Sequence, residues 1–460
     1  MRFNRPTYMN NIQLFKINNV LILAFAILGG IGLNRILGLW ANPTTHVLGL
    51  LVGISLFVGI IIKPEVAIWG LVILRSIAGP FMQATTVFPG ALNINISGIL
   101  NLLVIFAGMY YIVTKKVNLL ELPISKPYSL FMAICFATTL IAPDKITAIR
   151  YCVRFLSYFM LYVVTITVLQ NKKQIVNLIH IIFLSAIIPL SVGFYQFFMG
   201  TGSMAISSFN RIFATFGHPV PYGFYLMLLL VIAIVLFLYY SNIGPQKIGW
   251  GIICLAMGAS LLQTFTRGAW IGLIIALIVI GFRYKRVWVF LPLLLIALVA
   301  LITSISERLA DISEPISEQS SSLSWRVNLW KEAFPMIKSN PIGNGLGSFV
   351  LYSSLKIKDQ LSGAHNVYLR LAMETGLLGL GAYLWLMFAL GKEAIKNYIS
   401  LSDGYFKMLN LGFISILAAY VIASIGDNHL EYIAFQWYFW LFAGIVEAGK
   451  RIEFRSLINE

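Results

Sequence analysis

Apolar runs of membrane-spanning length, divided by short polar connections, recur along almost the whole chain. They cover about 20–38, 46–62, 66–83, 96–114, 127–143, 151–170, 174–199, 221–240, 248–265, 268–282, 287–305, 366–390, 408–425 and 430–448. A helix crosses the hydrocarbon core with about 20 mostly apolar residues, so each window is a candidate span. The weakest are 66–83, interrupted by Arg75 and Pro80, and the short 268–282. The pattern predicts an all-α fold, a polytopic transmembrane helix bundle of about 12–14 spans. Residues 1–460 then form a single integral membrane domain. Composition agrees: 11% of residues are charged, against about 25% in a soluble domain.

The longest polar stretch, 306–364, is too polar to span and too long for a simple connection. It contains an amphipathic segment in which Trp325, Leu329, Ala333 and Ile337 recur at helical spacing, with Pro335 near its end and Asn340-Pro341 beyond. Its tryptophans predict a surface helix lying at headgroup depth.

The formal net charge is +16, which in a soluble chain would point to nucleic acid. Here the basic residues gather in alternate connections. With the N-terminus inside, the inner segments receive Lys63, Lys115, Lys116, Lys126, Lys172, Lys173, Lys247, Arg283, Lys285, Arg286, Lys392, Lys396, Lys407, Lys450, Arg451 and Arg455. The short outer connections are nearly free of Lys and Arg, with Lys145 the clearest exception. This is the positive-inside pattern. It argues against nucleic acid, places both termini in the cytoplasm and makes 306–364 a large extracytoplasmic loop. The apolar run after Arg2, Arg5 and Lys16 reads as a retained first helix, not a cleaved leader. Cys135, Cys152 and Cys254 sit in apolar runs as small buried hydrophobes, with no metal or disulfide spacing.

Charges at membrane depth or its edge are costly and invite a functional reading. Arg211, Arg267 and Arg326 collect toward the outer side. Guanidinium forks suit phosphate, so the three together would suit a diphosphate at headgroup depth. Headgroup anchoring is the alternative for any one of them, but anchors should favour the inner face. His365 opens the helix after the large loop, where the helix dipole would keep its ring neutral, as a general base requires. A capping or interfacial histidine is the alternative, and His218 is a competitor in a similar position. His46 and His429 look like ordinary residues at span ends, and His180 lies toward the inner side.

The Gly-rich run Pro341–Phe349 lacks both a dinucleotide fold's preceding strand and a phosphate loop's Gly-Lys-Ser/Thr. It reads as a tight turn whose glycines allow unusual backbone conformations. The chain has no Asp-x-Asp pair, no His-Glu-x-x-His helix and no nucleotide-binding loop. Glu307, Asp311, Glu314 and Glu318 look solvated. An enzyme on the outer face, without ATP, would need a substrate that is already activated.

Several segments together resemble the O-antigen ligase and polymerase superfamily of Wzy/WaaL-type membrane glycosyltransferases. They are Arg326 with Trp330; Pro341-x-Gly343-x-Gly345-x-Gly347; Ala364-His365-Asn366-x-Tyr368-Leu369; and Glu374-x-Gly376-Leu377-Leu378-Gly379. Upstream, Thr266-Arg267-Gly268-Ala269 stands for the family's Ser-Arg-Gly helix start, and Arg211-x-x-x-Thr215-Phe216-x-x-Pro219 also resembles a family segment. The resemblance implies metal-independent, inverting transfer of glycan without a cofactor. The donor is an undecaprenyl-diphosphate carrier on the outer face of the cytoplasmic membrane. The acceptor is a glycan or lipid, and membrane lipid and other polysaccharide-assembly proteins are partners. It implies His365 as the base, Arg267 and Arg326 as diphosphate ligands and Arg211 as a third contact. Polymerase and ligase remain open, as do the sugar and acceptor. A transporter or flippase of lipid-linked oligosaccharide is the alternative, with Arg75 and Arg154 as its residues, but no internal repeat is visible. A scaffold would leave the outer arginines unexplained.

Overall fold

The computed structural model describes residues 43–77, 86–88, 94–202, 205–206, 209–240, 244–284, 323–352, 356–357, 360–361 and 363–459. The retained first helix, the windows 20–38 and 287–305 and the loop segment 306–322 lie outside the described residues. The chain divides into two compact units, Met1–Ser55 and Leu56–Glu460. The described part of the first is the beginning of helix α1 (Pro43–Ile62).

The second unit holds α2 (Pro64–Ile77), α3 (Ile96–Thr114), α4 (Ser125–Thr139), α5 (Lys145–Val168), α6 (Lys172–Met199) and α7 (Pro219–Tyr239). It continues with α8 (Pro245–Gln263), α9 (Arg267–Arg283), α10 (Leu323–Ser339), α11 (Phe349–Tyr352), α12 (Val367–Ser400), α13 (Gly404–Ala423) and α14 (Ile433–Asn459). Among the described helices, α3, α5, α6, α7, α12 and α13 are both long and apolar enough to cross a membrane. The fold is therefore a polytopic bundle of membrane-spanning helices. Three antiparallel ribbons of two or three residues per strand are the described extended structure.

Local chemistry sets the helix ends. Asp144 accepts from the backbone N–H groups of Ile146 and Thr147, and Asp403 from those of Tyr405 and Phe406, satisfying donors that a helix start leaves open. Pro219 and Pro245 sit in the first turns of α7 and α8, where a missing N–H costs nothing. Pro189 breaks the α6 ladder, and the Ser76 hydroxyl donates to the freed Ser185 carbonyl at 3.3 Å. Helix α7 is apolar on every side and is accordingly the central helix, packed by α8, α9, α13 and α14. Tyr222, Phe224, Tyr225, Phe413, Tyr420 and Phe435 fill the aromatic core around it.

Two segments differ from the sequence expectation. The amphipathic helix exists as α10, but Leu329 and Ala333 on its apolar stripe are fully buried against Phe349, Ala364 and Met373. Trp330 Nε1 donates to the Ala364 carbonyl at 3.1 Å. Protein, not lipid, covers these stripe residues, because α12 offers a matching apolar face. Helix α12 is broken at Gly376, where φ is +72°. The Gly-rich run splints the break: Asn344 N donates to Met373 O at 2.9 Å, Gly345 N to Glu374 O at 3.0 Å and Leu377 N to Pro341 O at 2.9 Å. A Cβ on Gly345 would lie 2.3 Å from the Ala142 Cα, so that glycine is needed for close approach.

Candidate functional site

Between α13 and α14 the chain turns through Ser424–Tyr432, with one 3-10 turn at His429–Glu431. Three helices, α9, α10 and α12 with the segment that leads into it, converge on this turn. Arg326 of α10 donates from Nη1 to Gly426 O at 2.6 Å. Val367, at the start of α12, donates to Ser424 O at 3.0 Å. A Cβ on Gly268, in the first turn of α9, would lie 3.8 Å from Asp427 Oδ2. His365 brings its Nδ1 to 3.8 Å from Asp427 Oδ1.

Asp427 is the hub of this arrangement. It is buried and accepts from Asn428 N at 2.8 Å and from the Tyr432 hydroxyl. Burial disfavours its charge, but the His365 imidazole, then the Arg326 guanidinium, hold the carboxyl well below the usual carboxylate range. It is therefore ionised at neutral pH. The His365 side chain stays 31% exposed, so part of the ring is accessible. The sequence places His365 at a helix start; in the structure it lies one residue before the cap. Asn366 is the N-cap, accepting from Tyr368 N and Leu369 N, and His365 adopts φ +45°. That left-handed conformation is strained for a non-glycine residue and is retained here beside the carboxylate.

The three predicted arginines take different places. Arg326 reaches the turn directly. Arg267 is the first residue of α9, next to the glycine that faces Asp427. Arg211 is buried, with Nε donating to Thr264 O at 2.8 Å and Nη2 to Thr266 Oγ1 at 3.3 Å. It thus ties its own segment to the residues that lead into Arg267. His218 caps α7 through Nδ1, which accepts from Val220 N at 3.2 Å. His218 is exposed, yet the protein packed around it and then the Arg211 charge push the imidazole down to about 4, with Asp427 opposing. His429 is buried, with Nδ1 3.0 Å from Ser424 Oγ, and burial pushes it down to about 4.

Sequence reasoning missed Asp427, and it missed a second charged group on the same turn. Glu431 Oε1 accepts from the Tyr151 hydroxyl at 2.5 Å and from Arg370 Nη1. Arg370 Nε also donates to Glu374 Oε1 at 3.1 Å, and Glu374 Oε1 accepts from Phe349 N at 3.2 Å. The Gly-rich splint, the α12 break and the turn are therefore mechanically joined. The missed signal was polar density: Asp427, Asn428 and His429 crowd the connection between two apolar windows, with Glu431 just inside the second. Of the residues a flippase would use, Arg154 faces Glu431, while Arg75 donates to Ser97 Oγ at 2.9 Å and stacks over Trp437. Among the described residues, no three His, Cys, Asp or Glu side chains gather as a metal site would require.

One stretch of the chain carrying these parts is similar to a known family. Residues 252–384 match the O-antigen ligase (Wzy_C) family model. The O-antigen ligase match contains Arg267, Arg326, the Gly-rich run, His365 and the break in α12. It stops before Asp427 and Glu431 and begins after Arg211 and His218. The match supports a glycosyltransferase-like role in cell-surface glycan assembly. No curated protein matches the chain.

Proposed function

We propose that the protein transfers glycan from an undecaprenyl-diphosphate carrier to a glycan or lipid acceptor, on the outer face of the cytoplasmic membrane. The observation that carries this reading is the meeting of His365 with buried, ionised Asp427 on the turn that also receives Arg326. A proton on His365 Nδ1 faces the Asp427 carboxylate, which leaves the Nε2 lone pair to act as base. The 3.8 Å separation closes when substrate binds, since catalytic hydrogen bonds are often long in the free enzyme.

The acceptor hydroxyl oxygen attacks the anomeric carbon and gives its proton to Nε2. The bond from that carbon to the diphosphate oxygen breaks, and its electron pair leaves with the diphosphate. Attack opposite the leaving group inverts the anomeric configuration. Arg267 and Arg326 meet the charge that grows on the diphosphate, as preorganised cations do. Arg211 is the third contact and also steadies the approach to Arg267. Guanidinium charge serves the leaving group, so the proposal needs no metal or cofactor. Outer-face placement follows from the positive-inside pattern, which puts the Lys- and Arg-rich connections at the other end of the bundle.

The test is transfer by the purified protein in detergent, with lipid-linked glycan from the host and no ion gradient. The wild type forms transferred product, and His365→Ala lowers the rate by about 10²-fold or more. Absent transfer by the wild type, or normal transfer by His365→Ala, contradicts the proposal.

A further inference from the structure

The turn that carries Asp427 toward His365 carries Glu431 toward a different set of partners, and those partners do not close around it. Glu431 Oε1 is engaged by Tyr151 and Arg370. Oε2 meets Arg154 Nη1 at 3.5 Å, longer than the roughly 2.7–2.9 Å of a charge-assisted hydrogen bond. The side chains of Glu431 and Arg154 remain 30% and 28% exposed, whereas that of Arg370 is 3% exposed. By contrast, the exposed pair Lys172–Asp403 closes to 2.5 Å. The Tyr151 ring lies beneath both guanidiniums, 4.5 Å from Arg370 and 5.2 Å from Arg154. One side of the cluster is thus locked into the protein, and the other presents a carboxylate oxygen and a guanidinium across a gap.

A hydroxyl suits that gap, because it donates to a carboxylate and accepts from a guanidinium at once. Neighbouring hydroxyls on a sugar ring offer this pairing twice. We propose that Glu431 and Arg154 form a subsite for a sugar ring of the acceptor glycan. This rests on the transfer reading above, which requires a second substrate whose hydroxyl reaches His365. The subsite lies on the same turn as Asp427, so an acceptor held there borders the base. Arg370 and Glu374 act through Glu431 and are positioning residues. The arrangement separates an uncharged sugar site from the more cationic site around Arg267 and Arg326.

The experiment measures binding to the full chain, purified in detergent, with two probes. One is oligosaccharide released from the host's surface glycan by mild acid; the other is inorganic pyrophosphate. Arg154→Ala weakens oligosaccharide binding by about tenfold, the effect of one lost hydrogen bond to a charged group, and leaves pyrophosphate binding within about twofold. Retained pyrophosphate binding also shows that the variant is folded. Arg326→Ala has the reverse pattern. Glu431→Gln, which keeps the shape of the side chain, moves with Arg154→Ala. The subsite is overturned if the wild type binds no oligosaccharide, if Arg154→Ala leaves its affinity within about twofold, or if that variant loses both probes in parallel. Pyrophosphate binding indifferent to Arg326 removes the diphosphate reading instead, and the Arg154 result still decides the sugar subsite.

Discussion

The two ends of the helix bundle use the same charged residue types for opposite purposes. At the end away from His365, ion pairs brace regular helices: Lys172 to Asp403 at 2.5 Å and Lys450 to Glu393 between segments, and Arg451 to Glu447 at 3.2 Å along one helix. Glu453 there accepts from both the N–H and the hydroxyl of Ser402. At the His365 end Asp427 and Glu431 sit on a turn between helices, and the backbone around them is strained. Ala214, Phe265 and His365 have positive φ, as do Gly343, Gly345, Gly347 and Gly376. Among the described residues, Lys116 is the positive-φ non-glycine residue of the other end. Strain of this kind persists where the surroundings over-determine it, and it gathers at functional sites. One end is built for topology and cohesion, and on the proposed mechanism the other holds the groups that react.

Substitutions should therefore separate the two ends by the kind of damage they do. The largest effect on rate belongs to Asp427→Asn, which keeps the shape but removes the charge facing His365. Transfer should fall by roughly 10²- to 10⁴-fold while the protein remains folded. Because the native carboxyl titrates below the ordinary range, its charge is complete above about pH 4 and is lost only as pH falls below that. The deficit of the variant should accordingly be constant across neutral pH. A deficit that vanishes at high pH would show that Asp427 acts otherwise.

Next comes Gly345→Ala, a stability effect at the reactive end. Its φ of +97° and the 2.3 Å approach of Ala142 leave no room for a methyl group. A loss of about 2–5 kcal/mol in thermal or denaturant melts is expected. A wild-type melting curve would mean that the splint can relax. The smallest effect belongs to Lys172→Ala at the other end. That exposed pair should contribute no more than about 1 kcal/mol, with transfer unchanged. A large loss of transfer there would erase the distinction between the ends.

Much of this contrast was legible in the sequence, for definite reasons. Hydropathy locates helices wherever long apolar runs leave no alternative, and the windows within the described residues coincide with helices. Arg267, Arg326 and His365 stood out because charge and imidazole are rare beside such runs. Asp427 and Glu431 did not, because topology is read from Lys and Arg while acids contribute little to it. Glu431 also fell inside the apolar window 430–448. The break at Gly376 was hidden because its backbone partners come from a loop more than twenty residues earlier, and hydropathy carries no information about such pairings. Nor could periodicity decide whether the α10 stripe faces lipid or protein, since both are apolar.

The most direct test of the central claim, that the reacting end of the bundle faces outward, is labelling of single introduced cysteines in intact cells with a membrane-impermeant maleimide. Leu351→Cys lies at an exposed position beside the Gly-rich run, and Lys173→Cys at an exposed position of the opposite end. The account predicts that Leu351→Cys is labelled from outside and Lys173→Cys only after permeabilisation. The reverse pattern would put His365 and its arginines in the cytosol and contradict the account.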